Sequence, residues 1–335
     1  MSIKSCVMSR CSAAVLLMAS LALLAHPEPG SAAHARAEGS GRHACVLAPG
    51  ELTVEDLPAG TSVTHCRAVG RVVTHAGAGL TVPEPGTKVG VDALTANGSH
   101  QGFTLTVADD GTVSYAYEAA ADDTRPRTPG NRADAPAPCA DTAYTTADRK
   151  EYGTYEWFVG DGPQPGNLPR VQVRRAFEDA ITAIVKGRND CGLDDTIRAR
   201  ARFLSGTGHE AGIDQEARCT ARDGLSVWDA GDLSSDAVAT TCSWSRPVAG
   251  RPDALMEADV RFNIHDYTFT DHPTGTCDNA YDLRSVATHE AGHVFGLGHS
   301  GDGHENLTMY ANSYVCSTTA RTLGKGDVLG LRSLY

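Results

Sequence analysis

The sequence has few positive charges, few aromatic residues and no long apolar run beyond its N-terminus. Its 29 lysines and arginines are outnumbered by 41 aspartates and glutamates. The net negative charge argues against a nucleic-acid partner, because binding to phosphates depends on positive charge. Aromatic residues make up only 6% of the chain, and the 35 glycines favour a loop-rich fold. A hydrophobic fraction of 41% nevertheless excludes a wholly disordered chain. The length of 335 residues predicts about two domains.

The first 35 residues have the three parts of a secretory signal peptide. Lys4 and Arg10 precede an apolar stretch over 13–25, and small residues follow at 31–35. This stretch is shorter than the roughly 20 residues that span a bilayer, and no later run approaches that length. We therefore expect cleavage after the segment 1–35, a secreted extracellular protein, and no membrane partner afterwards.

Eight cysteines remain after that cleavage, and no two of them have the C-x2–4-C spacing of zinc sites. An even number in an exported chain indicates four disulfides, although the sequence alone does not fix their connectivity. Pairing nearest neighbours predicts Cys45–Cys66, Cys139–Cys191, Cys219–Cys242 and Cys277–Cys316.

Composition divides the rest of the chain into three parts. Residues 36–118 form a small β-rich domain, in which the alternating segments 103–107 and 112–117 flank a turn. Residues 119–138 contain four prolines, three arginines and few large apolar side chains, which predicts a linker. Residues 139–335 mix helical and strand patterns, which indicates an α+β domain.

Two helices and three strands are predicted in this α+β part. The apolar stripe of the first helix ends at Gly187, and Asp278 and Asn279 are candidate caps of the second. The predicted helices cover 171–186 and 281–295, and the predicted strands cover 224–228, 238–244 and 258–264.

The second predicted helix holds a metal-binding pattern. His289 and His293 are four residues apart and so lie on one helix face, with Glu290 beside the first. Gly296 permits a positive φ that ends the helix, so that His299 returns as a third ligand. Three imidazoles leave one coordination position open, which is typical of catalytic zinc sites.

This His-Glu-x-x-His-x-x-Gly-x-x-His pattern resembles that of the metzincin metallopeptidases. Ser300 directly follows the third histidine, which resembles the matrixins, and Thr308-Met309-Tyr310 resembles the Met-turn, which places a methionine beneath the metal. The segments 257–263 and 323–335 are similar to the strand before the active-site helix and to the final helix of matrixins.

Residues 139–335 most resemble a group of small secreted bacterial matrixin-like proteases. The resemblance implies an α+β catalytic domain with a mixed sheet, an active-site helix and a C-terminal helix, here preceded by the small β-rich N-terminal domain. It also implies a zinc endopeptidase that acts on a peptide or protein substrate, and we expect a monomer.

The resemblance further assigns roles to single residues. His289, His293 and His299 would hold one catalytic Zn²⁺, and Glu290 would be the general base toward the zinc-bound water. No motif supports Ca²⁺, although the family allows it. The strand over 238–244 would form the edge above the cleft, where a substrate pairs by strand addition. Its residues Thr240 and Ser243 would line the cleft together with Tyr310.

Two alternatives stay open. The protein is either this enzyme or a non-catalytic secreted binding protein that zinc stabilises and whose β-rich domain carries the function. Glu290 favours the enzyme, because a structural zinc site has no need of a carboxylate beside an open position. Residues 36–138 are either a propeptide or a retained module, and the absence of a matrixin cysteine-switch motif favours the module.

Overall fold

A computed structural model describes residues 45–96, 101–117, 132–234 and 236–335. The predicted signal peptide and residues 119–131 of the predicted linker lie outside the described residues. The strands are β1 (Leu52–Thr53), β2 (Val72–His75), β3 (Ala78–Thr81), β4 (Thr87–Thr95), β5 (Gln101–Val107), β6 (Val113–Tyr117), β7 (Thr145–Thr146), β8 (Arg149–Lys150), β9 (Tyr155–Gly160), β10 (Ala201–Thr207), β11 (Ser226–Gly231), β12 (Ala237–Val248), β13 (Arg251–Asn263), β14 (Thr268–Thr270), β15 (Ala280–Asp282) and β16 (Leu297–Gly298). The helices are α1 (Arg170–Lys186), α2 (Leu283–Val294) and α3 (Lys325–Leu334), with short 3-10 turns at Pro165–Asn167 and Thr319–Arg321.

A mixed nine-stranded sheet carries the fold, in the order β10-β9-β11-β13-β12-β4-β5-β6 with β8 added on β13. The pairs from β10 to β13 are parallel, whereas β12 runs antiparallel to both of its neighbours. The α+β class expected from the sequence is therefore confirmed. Strands β4–β6 belong to the N-terminal part (residues 45–117) and continue the sheet of the C-terminal part (residues 139–335).

Helix α1 packs its apolar stripe on the parallel half of the sheet and against α2. Phe177 stacks on Phe262 of β13 at 5.0 Å between ring centroids and lies 5.2 Å from Trp228 of β11. All three rings are at most 1% exposed, so the hydrophobic effect holds α1 in place. The helix ends at Gly187 as predicted, and this residue has φ +63°.

A second hydrophobic core lies on the N-terminal side of the sheet. It joins Leu80 and Leu105 of the N-terminal part to Cys219, Cys242 and Trp244 of the C-terminal part. The two parts therefore bury apolar surface against each other, in addition to sharing the sheet.

Helix α2 begins later than the sequence predicts. Asp282 is its N-cap, and its side chain accepts a hydrogen bond from the backbone N–H of Ser285 at 3.0 Å. The expected caps Asp278 and Asn279 precede the helix, because β15 pairs with β14 and keeps residues up to Asp282 extended.

All four predicted disulfides form. They are Cys45–Cys66, Cys139–Cys191, Cys219–Cys242 and Cys277–Cys316, with Cα separations of 5.0–5.8 Å. Each bond lies either wholly within residues 45–117 or wholly within residues 139–335. Among the described helices, none combines the length and apolar character that crossing a bilayer requires.

Candidate active site

Three histidine side chains converge at the C-terminal end of α2. His289 and His293 lie on one face of the helix, and His299 follows the turn after it. Their Nε2 atoms are 3.0 Å (His289–His293), 3.1 Å (His293–His299) and 3.2 Å (His289–His299) apart. Tetrahedral ligands at a zinc–nitrogen distance of about 2.05 Å are separated by about 3.3 Å. The three nitrogens therefore fit a single zinc ion.

The outer nitrogens of two rings fix which tautomer is present. Nδ1 of His289 donates to the carbonyl of Thr308 at 2.8 Å, and Nδ1 of His293 donates to the carbonyl of Leu297 at 3.1 Å. In a neutral ring this leaves the lone pair on Nε2. Two Nε2 lone pairs that face each other at 3.0 Å repel one another. A cation bound between the rings would remove this repulsion.

Burial keeps the His293 ring in the form that binds metal. His293 is fully buried, and its burial together with the neighbouring His299 and His289 holds its pKa well below the usual value. The ring is therefore neutral at pH 7, and a neutral imidazole is the form that coordinates a metal.

Glu290 lies beside the histidines with one oxygen paired and the other not. Its Oε2 accepts a hydrogen bond from the hydroxyl of Thr241 on β12 at 2.6 Å, whereas Oε1 has no hydrogen-bond partner in the described residues. Burial raises the pKa of Glu290 to about 8, against the lowering effects of the Thr241 hydroxyl and of His299. A buried unpaired oxygen at this position is suited to accept a proton from a bound molecule.

Two glycines set how closely the chain approaches the site. Gly296 has φ +93°, and a Cβ at this residue would lie 2.1 Å from the carbonyl oxygen of Arg149. Gly292 faces Met309, where a Cβ would lie 2.2 Å from Sδ. The methionine is 2% exposed and belongs to the main core, the cluster that also contains Phe177, Trp228 and Phe262. It therefore packs under the helix that carries the ligands.

Asp327 fixes the predicted Met-turn, and sequence reasoning overlooked it. Its Oδ2 accepts from the backbone N–H of Thr308 at 3.0 Å and of Gly324 at 2.8 Å, and Oδ1 accepts from Met309 at 3.2 Å. Burial raises the pKa of Asp327 to about 6, and these hydrogen bonds oppose the increase. An acidic residue at the third position of α3 is a typical capping signal and could have identified it.

A buried arginine also supports α2, and no local pattern predicts it. Nη2 of Arg149 donates to the carbonyl of His293 at 2.6 Å and lies 3.4 Å from Oδ2 of Asp92. A cation at the C-terminal end of a helix is favourable. Oδ2 of Asp92 lies 4.0 Å from Nδ1 of His293, so the N-terminal part contributes a carboxylate next to the site.

The predicted cleft residues have different positions. Tyr310 is 4% exposed and lines a cavity together with His289 and Leu94. Thr240 and Ser243 are both buried on β12. Because side chains alternate along a strand, Thr240 points to the face opposite Thr241 and away from the helix.

The expectation that the strand over 238–244 is a sheet edge is wrong. Strand β4 pairs with it antiparallel, and Thr241 is opposite Asp92 while Ser243 is opposite Gly90. The sequence gives no sign of this pairing, because strand partners far apart in the chain are selected by the tertiary fold.

Comparison with known proteins agrees with the geometry of the site. The family model of the matrixins matches residues 202–335, which include all three histidines and Glu290. This match supports a matrixin-type metalloprotease domain over these residues. A 90-residue segment is also 46% identical to Metalloendoproteinase 1 of Glycine max, over 26% of this chain and 28% of the relative. The chain thus matches little more than a quarter of that relative's length. Strand β9 and helix α1 precede the matched range, although both pack against strands that lie inside it.

Proposed function

We propose that this protein is a secreted zinc endopeptidase whose matrixin domain hydrolyses peptide bonds in a peptide or protein substrate. The observation that carries the proposal is the unpaired, fully buried Oε1 of Glu290 beside three imidazole nitrogens within 3.2 Å of one another. The matrixin family and the metalloendoproteinase relative support the same reaction class. Four disulfides support export, since oxidising compartments preserve them.

His289, His293 and His299 would hold the zinc ion. When bound, it supplies Lewis acidity, which polarises a carbonyl and acidifies water. Glu290 accepts a proton from the attacking water on Oε1 and later delivers it to the leaving amine. The hydroxyl of Thr241 holds Oε2 and so keeps Oε1 oriented toward the reacting groups. The buried surroundings exclude bulk water from this proton transfer.

The alternative function is a zinc-stabilised binding protein without catalysis. A structural zinc site closes its coordination with four protein ligands. Among the described residues, the buried metal-binding group here has three members, His289, His293 and His299. The unpaired carboxylate oxygen next to them therefore favours the enzyme.

The test compares the wild-type chain with Glu290→Gln, which keeps the side-chain volume. Hydrolysis of dye-quenched casein is measured with and without a chelator, on the intact chain and after limited trypsin digestion that a serine-protease inhibitor stops. Zinc content is measured on every sample. We expect equal zinc in both proteins and a loss of about 10²–10⁴-fold in hydrolysis by Glu290→Gln.

Two results would contradict the proposal. Equal hydrolysis by the wild type and by Glu290→Gln would show that the Glu290 carboxylate is not the general base. Full zinc content without hydrolysis in either the intact or the digested chain would favour the binding protein.

A further inference from the structure

Strand β4 of the N-terminal part lies across the candidate active site. It pairs antiparallel with β12, from Lys88 opposite Ser245 to Thr95 opposite Ala237. Thr241, in the middle of this register, holds Glu290 at 2.6 Å. A peptide that reaches Glu290 and the histidines must therefore run beside β12, which is where β4 lies.

The side chains of β4 alternate between the second hydrophobic core and the active site. Val89, Val91 and Ala93 belong to the second core on one face of the strand. Asp92 and Leu94 lie on the other face and approach α2. Oδ2 of Asp92 is 4.0 Å from Nδ1 of His293, and Leu94 packs in the main core. One face of the strand thus anchors it to the N-terminal part, while the other fills the site.

The C-terminal end of β4 is held on its second side by the segment after the Met-turn. The N–H of Thr95 donates to the carbonyl of Ala311 at 3.0 Å, and the N–H of Ser313 donates to the carbonyl of Thr95 at 3.1 Å. The preceding Leu94 is 2% exposed and lines the same cavity as His289 and Tyr310. Strand β4 therefore makes backbone hydrogen bonds on both sides, as an extended peptide in a groove does.

We propose that residues 90–95 occupy the peptide-binding groove of the matrixin domain and keep the intact chain latent. This inference rests on the proposed function for the identity of the groove, and it assigns residues 45–117 to inhibition rather than to an accessory role. The occupant is held non-covalently. An external extended peptide with a large apolar side chain at the position of Leu94 competes for the same hydrogen bonds and the same cavity.

The covalent structure permits release of this occupant. The four disulfides of the described residues lie within 45–117 or within 139–335, and none joins the two parts. A single backbone cut between residues 117 and 139 would leave β4 attached by non-covalent contacts alone. These are its hydrogen bonds, its ion pairs with Arg149 and Asp253, and its packing in both cores. After such a cut, the fragment that contains β4 competes with substrate as a separate molecule. Its occupancy of the groove then depends on the concentration of the protein.

The test uses two matched leucine substitutions in the intact, zinc-loaded chain. Leu94→Ala empties the groove cavity, whereas Leu105→Ala removes an equally buried side chain of β5 from the second core. We expect casein hydrolysis to rise roughly tenfold or more in Leu94→Ala, because the open population rises. We expect a clearly smaller rise in Leu105→Ala, because Leu105 packs in the second core and does not line the cavity that Leu94 shares with His289 and Tyr310. Thr95→Pro, which removes the donor to Ala311 and no apolar side chain, should act as Leu94→Ala does.

A second readout does not depend on catalysis. In the Glu290→Gln background, a fluorescein-labelled copy of residues 89–96 is titrated and its anisotropy is recorded. We expect at least roughly tenfold tighter binding to Leu94→Ala than to the chain with Leu94 intact or to Leu105→Ala.

The outcomes separate the two proposals. Equal binding and equal hydrolysis in all three chains would overturn occupation of the groove by β4 and leave the enzyme in place. Equal activation by Leu105→Ala would also overturn occupation of the groove by β4, because a general loss of core packing would then be enough to activate the chain. Selective peptide binding to Leu94→Ala without hydrolysis in any chain would support the occupant and contradict the protease.

Discussion

Replacing Gly296 by alanine should damage both the fold and the metal site. The residue has φ +93°, a conformation that costs a side-chain-bearing residue about 1–3 kcal/mol. The new Cβ would also lie 2.1 Å from the carbonyl oxygen of Arg149. That backbone has little freedom to move, because β8 pairs with β13 and the Arg149 guanidinium is bonded to His293.

Gly303 provides the matched control for this change. It has φ +85°, and a Cβ there would meet no atom within 4 Å. Gly303→Ala therefore carries the conformational cost alone, whereas Gly296→Ala adds an overpacking cost of about 1–3 kcal/mol. We expect a loss in the free energy of unfolding of about 1–3 kcal/mol for Gly303→Ala and of about 2–6 kcal/mol for Gly296→Ala.

Urea unfolding of the metal-free proteins measures this difference, and a zinc titration measures its effect on the site. Gly296 also leads the chain from α2 to His299, so its displacement should weaken zinc binding about 10–100-fold, as supporting mutations of metal sites do. Gly303→Ala should leave zinc affinity unchanged. Equal losses of stability in the two variants would refute the argument from the Arg149 contact.

Three further predictions follow from named contacts. Thr241→Val removes the hydroxyl that holds Glu290 and should lower kcat for casein roughly 10–100-fold in the Leu94→Ala background, with KM and zinc content unchanged. Burial raises the pKa of Asp327 from 3.8 to about 6, so the folded chain binds this proton more tightly than the unfolded chain does. The contribution of Asp327 to the free energy of unfolding should therefore fall by about 3 kcal/mol as the pH rises from 4 to 6, and it should stay constant above pH 6. In urea titrations at several pH values, Asp327→Asn should lack this pH dependence. Removing the Cys277–Cys316 disulfide, which spans 39 residues, should lower the free energy of unfolding by about 4 kcal/mol.

Each of these predictions has its own control. Thr240→Val alters a buried neighbouring hydroxyl that has no hydrogen-bond partner in the described residues, so its kcat should stay near that of the parent. If both threonine variants lose activity equally, the contact with Glu290 is not the cause. An unchanged pH slope in Asp327→Asn would assign that slope to another group. A loss below about 1 kcal/mol without the Cys277–Cys316 bond would contradict its assigned contribution.

The sequence by itself determined the features that depend on short-range spacing. The i, i+4 relation of His289 and His293, the positive φ of Gly296 and the return of His299 are local, and backbone geometry alone brings these residues together. The hairpin of β5 and β6 and the end of α1 at Gly187 follow for the same reason. Nearest-neighbour pairing of the cysteines was confirmed as well, although the sequence alone had left their connectivity open.

Only the tertiary structure decided which distant residues surround this motif. Thr241 rather than Thr240 reaches Glu290, because strand register fixes which side chains face α2. Arg149 and Asp92 lie far from the motif in the chain, and only the packing of the sheet places them next to His293. The pairing of β4 with β12 is likewise a contact over some 150 residues, for which no local pattern in either strand selects the partner. The chemistry of the site is thus encoded locally, whereas access to it depends on long-range strand pairing.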